Sequence, residues 1–160
     1  MGTGKTSVGK ILGKKLKKTV LDVDQWIESK EKRSIAEIFE KDGEAYFRRV
    51  EKEAVRAVAS ETDVVITTGG GVVLDAENMK ALSENAWVVA LHASPEVIYQ
   101  RVKNSRHRPL LQGPDKLSEI TKIMKARKLL YDRADISLDT DQKSAGHVAE
   151  LILKALKGKK

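Results

Sequence analysis

The chain begins with glycine, lysine and threonine residues that are typical of the second half of a phosphate-binding P-loop. The full motif is G-x-x-x-x-G-K-[ST], and Gly4, Lys5 and Thr6 supply its last three positions. The first glycine of the motif would lie two residues before Met1, and the apolar strand that normally leads into the loop is also absent. We therefore expect an NTP-binding α/β protein whose natural chain starts several residues upstream of Met1.

The residue types of this loop suit polyphosphate. Backbone N–H groups at a helix N-terminus face an anion with aligned dipoles, and Gly2 and Gly4 let the backbone approach without a Cβ clash. In such loops the lysine reaches the β- and γ-phosphates and the hydroxyl meets Mg²⁺, which are the roles expected of Lys5 and Thr6. The alternative is a flexible terminus, but an amphipathic helical pattern starts directly after Thr6.

Composition narrows the class of protein. The chain has 160 residues, of which 41% are hydrophobic and 33% charged, so a single globular domain is expected. It has no cysteine, which excludes disulfides and thiol catalysis, and no apolar run long enough for a membrane span. The net charge of +7 leaves nucleic-acid binding open, but the lysines are scattered and no recognition motif accompanies them. We expect no nucleic acid and no membrane partner, a cytoplasmic location and a monomer.

Short apolar runs alternate with helical patterns along the chain. This alternation predicts a three-layer α/β/α fold with a parallel sheet. Four strands are visible, at residues 19–22, 63–67, 86–91 and 134–138. A fifth strand is implied upstream of Met1, and because that strand is normally central, its absence predicts a gap in the sheet.

Two carboxylates lie at the exit of the first predicted strand. Asp22 follows Val20 and Leu21, and Asp24 lies two residues later, so in strand geometry both side chains point the same way. One carboxylate would serve Mg²⁺ near Thr6 and the other the acceptor hydroxyl. The alternative is a turn that caps the next helix.

Arg48 lies in a long helix three residues before Glu51. A guanidinium can donate two parallel hydrogen bonds to a carboxylate. Arg48 therefore suits an acidic substrate, and Glu51 would orient the Arg48 side chain. The alternative is a surface ion pair, and these two residues alone do not decide between the readings.

Gly69, Gly70 and Gly71 follow the second predicted strand. Ligands of open parallel sheets bind beyond the carboxyl ends of the strands, where bare N–H groups are available to an anion or hydroxyl. The alternative is a flexible turn.

Arg101 and the basic segment around Arg108 suit a lid that closes over phosphates. The alternative is a solvated basic loop.

Taken together, these residues resemble the shikimate kinase family from Met1 to about Leu156. The resemblance rests on an ordered set of segments: GTGKT at 2–6, LDVDQWIE at 21–28, SIAEIF at 34–39, GEAYFR at 43–48, GGG at 69–71, RPLL at 108–111 and KAR at 125–127. It implies a P-loop NTPase fold with five strands in the family, a substrate-binding helical region at about 24–60 and a lid at about 103–117, all in one domain spanning 1–160. It also implies transfer of the ATP γ-phosphate to the 3-hydroxyl of shikimate with Mg²⁺, on the route to chorismate and the aromatic amino acids.

The resemblance also implies roles for individual residues. Lys5, Asp24 and Arg108 would be catalytic, with Asp24 as the candidate base, and Thr6 and Asp22 would face Mg²⁺. The nucleotide side would comprise Gly2, Thr3, Gly4, Lys5, Thr6, Ser7, Arg101, Arg108 and Lys143. The shikimate side would comprise Asp24, Phe47, Arg48, Gly69, Gly70, Gly71 and Arg127, with the two arginines facing the substrate carboxylate.

Three alternatives stay open at this point. A related small-molecule kinase, such as a gluconate kinase, would share the P-loop, although the glycine run and the Arg48/Arg127 pair argue against it. A second alternative is a relative that binds ligands without turnover, and the missing strand is the feature that supports it. A basic nucleic-acid module is the remaining alternative.

Overall fold

The glycine-rich start leads directly into the first helix. The structure, a computed structural model, describes residues 2–103 and 115–158. Seven α-helices lie in this part of the chain: α1 Lys5–Leu16, α2 Val23–Glu31, α3 Ile35–Ala59, α4 Ala76–Ser83, α5 Pro95–Val102, α6 Lys116–Tyr131 and α7 Ala145–Lys157. Four strands alternate with them: β1 Thr19–Asp22, β2 Val64–Thr67, β3 Val89–His92 and β4 Ile136–Asp139.

The four strands form two separate pairs, and the strands of each pair are parallel. β1 pairs with β2 so that Asp22 lies opposite Thr67, and β3 pairs with β4 so that His92 lies opposite Asp139. Within the described residues no hydrogen-bonded ladder joins β2 to β3. The predicted gap in the sheet is therefore present, and it falls between these two pairs.

Helices cover both faces of the strands, which gives the predicted three layers. On one face, α1 and α7 share a core that includes Val8, Leu12 and Ile152, and Val65 of β2 and Leu91 of β3 pack against it. On the other face, α2, α3 and α4 pack over a second core. Leu21 of β1 and Ile66 of β2 contact this second core. Val65 and Ile66 thus point to opposite faces, as successive strand residues do.

The helical region after β1 follows local signals in the sequence. Ser34 accepts a hydrogen bond from the Glu37 N–H while the Glu37 carboxylate accepts from the Ser34 N–H, so a capping box starts α3. α3 contains a kink at Gly43, where the backbone has φ 78°. A positive φ of this kind is easily adopted only by glycine.

The third strand differs from its prediction. Residues 86–91 read as a buried strand, but β3 spans Val89–His92 and Trp87 is 50% exposed. The Val88 carbonyl still accepts from the Ile136 N–H at 3.2 Å, but the Val88 N–H donates to the Asp135 carboxylate. The apolar run therefore predicted a strand correctly but placed the start of that strand three residues too early.

α1 lies unusually close to the first strand pair because two of its residues are glycines. A Cβ on Gly9 would overlap the Thr67 side chain, and a Cβ on Gly13 would overlap Val20. This close approach places the N-terminus of α1 beside the carboxyl ends of β1 and β2. None of the helices in the described ranges combines the length and apolarity needed to cross a membrane.

We predict that Gly9→Ala lowers the free energy of unfolding by about 1–3 kcal/mol, because the new methyl group overpacks the contact with Thr67. Gly146→Ala is the matched control. Gly146 is also helical, but a Cβ there meets only the Ser144 hydroxyl at 3.9 Å. The control should gain up to about 1 kcal/mol from its better helix propensity. Urea denaturation of both variants measures the difference, and equal stability would contradict the packing described.

Candidate active site at the strand ends

The N-terminus of α1 has the geometry of an anion site. Gly4 is the N-cap with φ 89°, Gly2 has φ 64°, and the first turn contains no acidic residue. The Val8 N–H donates to the Gly4 carbonyl at 2.9 Å, so the helix is regular from its first turn. Successive N–H groups and the helix dipole at such a terminus favour phosphate.

The side chains of the loop differ in where they lie. Thr3 is buried at 6% exposure, whereas Thr6 and Ser7 are exposed in the first turn of α1. Lys5 is half-buried at the helix start. Its charge lies close enough to Asp24 to lower the pKa of that carboxyl. The predicted phosphate residues are therefore together at one helix end.

Asp22 links the P-loop to the two neighbouring strands. Its Oδ2 accepts from the Thr67 hydroxyl at 2.7 Å and lies 3.4 Å from the Thr6 hydroxyl oxygen. Its Oδ1 accepts from the Gln25 N–H at 3.2 Å, so Asp22 also caps α2. The two sequence interpretations of Asp22, a cation ligand and a helix cap, are both compatible with this position.

These oxygens fit Mg²⁺. This ion prefers hard oxygen ligands and is usually bound by one or two protein groups, with water and substrate phosphates completing the shell. Thr6 and Asp22 supply one hydroxyl and one carboxylate within 3.4 Å of each other. Over residues 2–103 and 115–158, no group of three or more His, Cys, Asp or Glu side chains is arranged to hold a metal ion.

Asp24 is not part of the strand, which corrects the geometry expected from the sequence. α2 begins at Val23, so Asp24 lies in the first helical turn and strand alternation does not relate it to Asp22. Asp24 nevertheless lies close to the glycine segment, residues 69–71, since a Cβ on Gly69 would lie 3.0 Å from Asp24 Oδ1. The place of Asp24 in the first turn of α2, and not strand alternation, therefore brings its carboxylate close to Gly69.

The surroundings of Asp24 disfavour its charge. Burial raises the pKa of the Asp24 carboxyl from 3.8 to about 6, with further upward contributions from the negative charges of Asp22 and Glu51. The charge of Lys5 acts in the opposite direction. A carboxyl that exchanges its proton near pH 6 has the properties of a general base.

Arg48 and Glu51 form an ion pair whose carboxylate is buried and whose guanidinium is partly buried, not the surface pair that was the alternative. Arg48 Nη1 donates to Glu51 Oε2 at 2.6 Å, and Glu51 is 1% exposed. Burial raises the pKa of the Glu51 carboxyl, while its hydrogen bond with Arg48 and the charge of Arg127 lower it in part. Burial disfavours the charged guanidinium of Arg48, but the hydrogen bonds and negative charges of Glu51 and Glu44 together outweigh it, and the pKa of Arg48 rises.

The glycine segment lies between the two arginines. A Cβ on Gly71 would overlap the Arg48 guanidinium, and Arg127 Nη1 donates to the Gly70 carbonyl at 3.0 Å. Arg127 is itself buried at 8% exposure. Two guanidinium groups and the carboxylates of Asp24 and Glu51 therefore surround one short piece of bare backbone.

Phe47 lies beneath this group. It is 5% exposed within the core of α2 and α3. Its ring centroid is 4.7 Å from that of Phe39, and the Arg48 guanidinium carbon is 5.1 Å from the ring. Phe47 thus supports Arg48 from the core, and its predicted contact with a sugar-like ring stays a prediction.

Two residues predicted for the nucleotide side meet around Thr140. Arg101 donates to the Thr140 hydroxyl, to the Thr140 carbonyl and, at 3.2 Å, to the Gly2 carbonyl. The Lys143 N–H also donates to the Thr140 carbonyl, at 3.3 Å. The guanidinium of Arg101 therefore joins the P-loop to the loop after β4. Arg108, predicted as a lid arginine, lies outside the described residues.

Sequence reasoning missed several polar partners of this site. Thr67 orients Asp22, Tyr131 donates to the Gly70 carbonyl, and Thr140 holds Arg101. Thr67 is the last residue of an apolar strand and Tyr131 lies one helical turn after Arg127, and both positions carry a weak signal in the sequence. Thr140 had no signal beyond its place at the end of a strand.

Comparisons with known proteins agree with this geometry. The family model described as shikimate kinase matches residues 1–157. The shikimate kinase of Thermodesulfovibrio yellowstonii is 44% identical over 154 residues, which cover 96% of this chain and 89% of the relative. The shikimate kinase of Pelotomaculum thermopropionicum is 43% identical over 157 residues, covering 98% of this chain and 91% of the relative.

A solved structure gives the same result. The shikimate kinase from Acinetobacter baumannii, solved in complex with shikimate, superposes with a TM-score of 0.97 at 35% identity, covering 100% of this chain and 90% of that one. The likeness extends over the P-loop, the glycine segment and both arginine-bearing helices. This chain belongs to the shikimate kinase family.

Proposed function

We propose that this enzyme transfers the γ-phosphate of ATP to the 3-hydroxyl of shikimate, in the biosynthesis of chorismate and the aromatic amino acids. The observation that carries the proposal is the convergence of Arg48, Arg127, Asp24 and the glycine segment beside the α1 N-terminus. A substrate with one carboxylate and several hydroxyls requires cations at one end and acceptors at the other. The site offers both next to a phosphate loop.

Arg48 and Arg127 would hold the substrate carboxylate. Guanidinium groups bind carboxylates through paired hydrogen bonds. Both arginines are already held in place, Arg48 by Glu51 at 2.6 Å and Arg127 by the Gly70 carbonyl at 3.0 Å. Side chains fixed before the ligand arrives lose less conformational entropy on binding.

Asp24 would accept the proton of the attacking hydroxyl. It adjoins Gly69 and experiences the charge of Lys5, so it lies between the shikimate side and the phosphate side. A pKa of about 6 keeps the carboxyl mostly ionised at neutral pH while it still gains a proton readily. Deprotonating the hydroxyl as it attacks makes it a better nucleophile.

Lys5 and the N–H groups at the start of α1 would hold the transferred phosphate. Phosphoryl transfer depends mainly on positioning and on neutralising charge. Thr6 and Asp22 would hold Mg²⁺, which would neutralise phosphate charge when bound. Gly2, Thr3, Gly4, Ser7, Arg101 and Lys143 would complete the nucleotide side, and the Arg101 contact to the Gly2 carbonyl supports that grouping.

We extend the proposal to the organisation of the chain. One domain spanning 1–160 would use residues of about 24–60 as its substrate-binding helical region, which is supported by the position of Asp24, Phe47 and Arg48 on α2 and α3. The lid expected at about 103–117 and its Arg108 stay predictions from sequence. We propose a cytoplasmic monomer.

We predict that Lys5→Ala lowers kcat by about a hundredfold or more, because it removes a charge that faces the transferring phosphate. ADP release in the presence of ATP, Mg²⁺ and shikimate measures the effect, and EDTA should abolish the signal. Lys10→Ala, an exposed lysine on the same helix, is the control and should turn over normally. Unchanged turnover in Lys5→Ala would refute its role.

We predict that Arg127→Ala raises the KM for shikimate roughly 10- to 100-fold, because a charged hydrogen-bond donor is lost. Lys128→Ala on the same helix, with its side chain 72% exposed, should change it less than about twofold. A panel with gluconate and other small hydroxylated acids tests the acceptor. Faster turnover of another acid than of shikimate would overturn the proposed substrate.

The raised pKa of Asp24 predicts a pH dependence. Because the pKa of about 6 lies above the ordinary 3.8, Asp24 gains its proton as the pH falls through about 6 and ceases to act as a base. We expect kcat/KM for shikimate to be level above this pH and to fall roughly tenfold per unit below it. Asp24→Asn should be nearly inactive at every pH. A wild-type profile that stays level down to pH 4.5 would contradict the role.

A further inference from the structure

We propose that Tyr131 is a positioning residue of the shikimate site, which acts by holding the Gly70 carbonyl in a fixed direction. This inference rests on the proposed function, because it assigns Tyr131 to the same substrate pocket. It adds a residue that was not expected from the sequence patterns and that lies on α6, outside the helical region formed by α2 and α3.

The hydroxyl of Tyr131 and the guanidinium of Arg127 meet at one atom. Tyr131 Oη donates to the Gly70 carbonyl at 2.5 Å, and Arg127 Nη1 donates to the same oxygen at 3.0 Å. The two residues are one helical turn apart on α6, so their side chains share a face. A carbonyl oxygen has two lone pairs, and this one uses both.

Fixing this carbonyl also fixes the next N–H group. The peptide between Gly70 and Gly71 is planar, and in the trans form its N–H points away from its C=O. Because the carbonyl faces α6, the Gly71 N–H faces the other way. Glycine backbone has more freedom than any other, so three in a row would not hold this direction without an external contact.

The same contact positions Arg127. Arg127 Nη1 is hydrogen-bonded to the Gly70 carbonyl. A shift of that oxygen would therefore move the guanidinium that we propose binds the substrate carboxylate. Gly71 in turn adjoins the Arg48 guanidinium. Tyr131 therefore acts on both arginines through one peptide unit, although it need not touch the substrate.

The ring of Tyr131 has a separate structural role. It packs edge-on against His92 with ring centroids 6.2 Å apart, and it also contacts the core of α2 and α3. His92 ends β3, and the glycine segment follows β2, so the ring lies between the two strand pairs. Tyr131→Phe keeps this packing and removes only the hydroxyl.

The test is steady-state kinetics of Tyr131→Phe together with calorimetric titration of shikimate. We expect the KM and the Kd for shikimate to rise roughly three- to tenfold, as for the loss of one hydrogen bond. The kcat and the KM for ATP should change less than about twofold, because the phosphate side does not depend on Gly70.

Tyr46→Phe is the matched control. Tyr46→Phe also loses one hydroxyl hydrogen bond, to Glu31 at 2.8 Å, but this partner lies on α2 and not in the glycine segment. It should leave shikimate binding unchanged at a comparable Tm. This control separates a local effect on the site from a general loss of stability.

Two results would overturn the role of Tyr131. One is unchanged shikimate affinity in Tyr131→Phe. The other is a parallel loss of kcat, ATP affinity and Tm, which would make the hydroxyl merely structural. The wild-type titration distinguishes failure of the underlying function, since a wild-type protein that binds no shikimate rejects the proposed substrate and this inference together.

Discussion

The ion pair between Arg48 and Glu51 is the interaction on which the rest of the site depends. Glu51 is 1% exposed, and its carboxylate is 2.6 Å from Arg48 Nη1. Burying the Glu51 charge costs several kcal/mol, and its attraction to the partly buried Arg48 offsets this only with good geometry. Removing Arg48 would leave the buried Glu51 carboxylate without its ion-pair partner and cost about 3–5 kcal/mol. Packed apolar residues in place of such a pair would often stabilise the fold as well. Stability therefore does not explain why the pair is present, and a role in the site does.

The pair organises its neighbours by contact and by charge. Arg48 lies against Gly71, Glu51 and Asp24 both adjoin Gly69, and Arg127 lowers the pKa of the Glu51 carboxyl. The negative charge of Glu51 is also one of the causes of the raised Asp24 pKa. The same carboxylate thus orients a cation and tunes a base. Strongly shifted carboxyl groups in a cleft are characteristic of functional sites.

Parallel strands bring these residues together from distant parts of the chain. The carboxyl ends of β1 and β2 place Asp22 beside Thr67, and the glycine segment follows β2. α1 can approach this edge closely because Gly9 and Gly13 present no side chain to Thr67 and Val20. The phosphate loop and the acidic cluster are therefore adjacent as a consequence of how α1 packs.

Local features of the fold were predictable because their signals are local. Ser34 and Glu37 are three residues apart and form a capping box at the start of α3, and the P-loop residues start α1 as expected. Trp87 was misassigned because an apolar run alone does not distinguish a buried strand from its half-exposed approach. Asp24 was assigned to the wrong element, since α2 starts immediately after β1.

Long-range features of the site were not predictable from pattern. The hydrogen bond from Tyr131 to Gly70 joins residues 61 positions apart, and no periodicity relates them. The burial of Glu51 could not be read from its spacing to Arg48, because a surface pair has the same spacing. Packing of α3 against its neighbours decides between those cases, and that depends on the whole fold.

The most direct measurement is the affinity for shikimate of Glu51→Gln, compared with Glu44→Gln, by calorimetry. Both carboxylates accept hydrogen bonds from Arg48, but the Glu44 side chain is 51% exposed. If the buried pair orients the substrate arginine, Glu51→Gln should bind shikimate at least roughly tenfold more weakly, while Glu44→Gln stays within about twofold of wild type. Equal affinities in a folded Glu51→Gln protein would show that Arg48 needs no buried partner and would contradict the central claim.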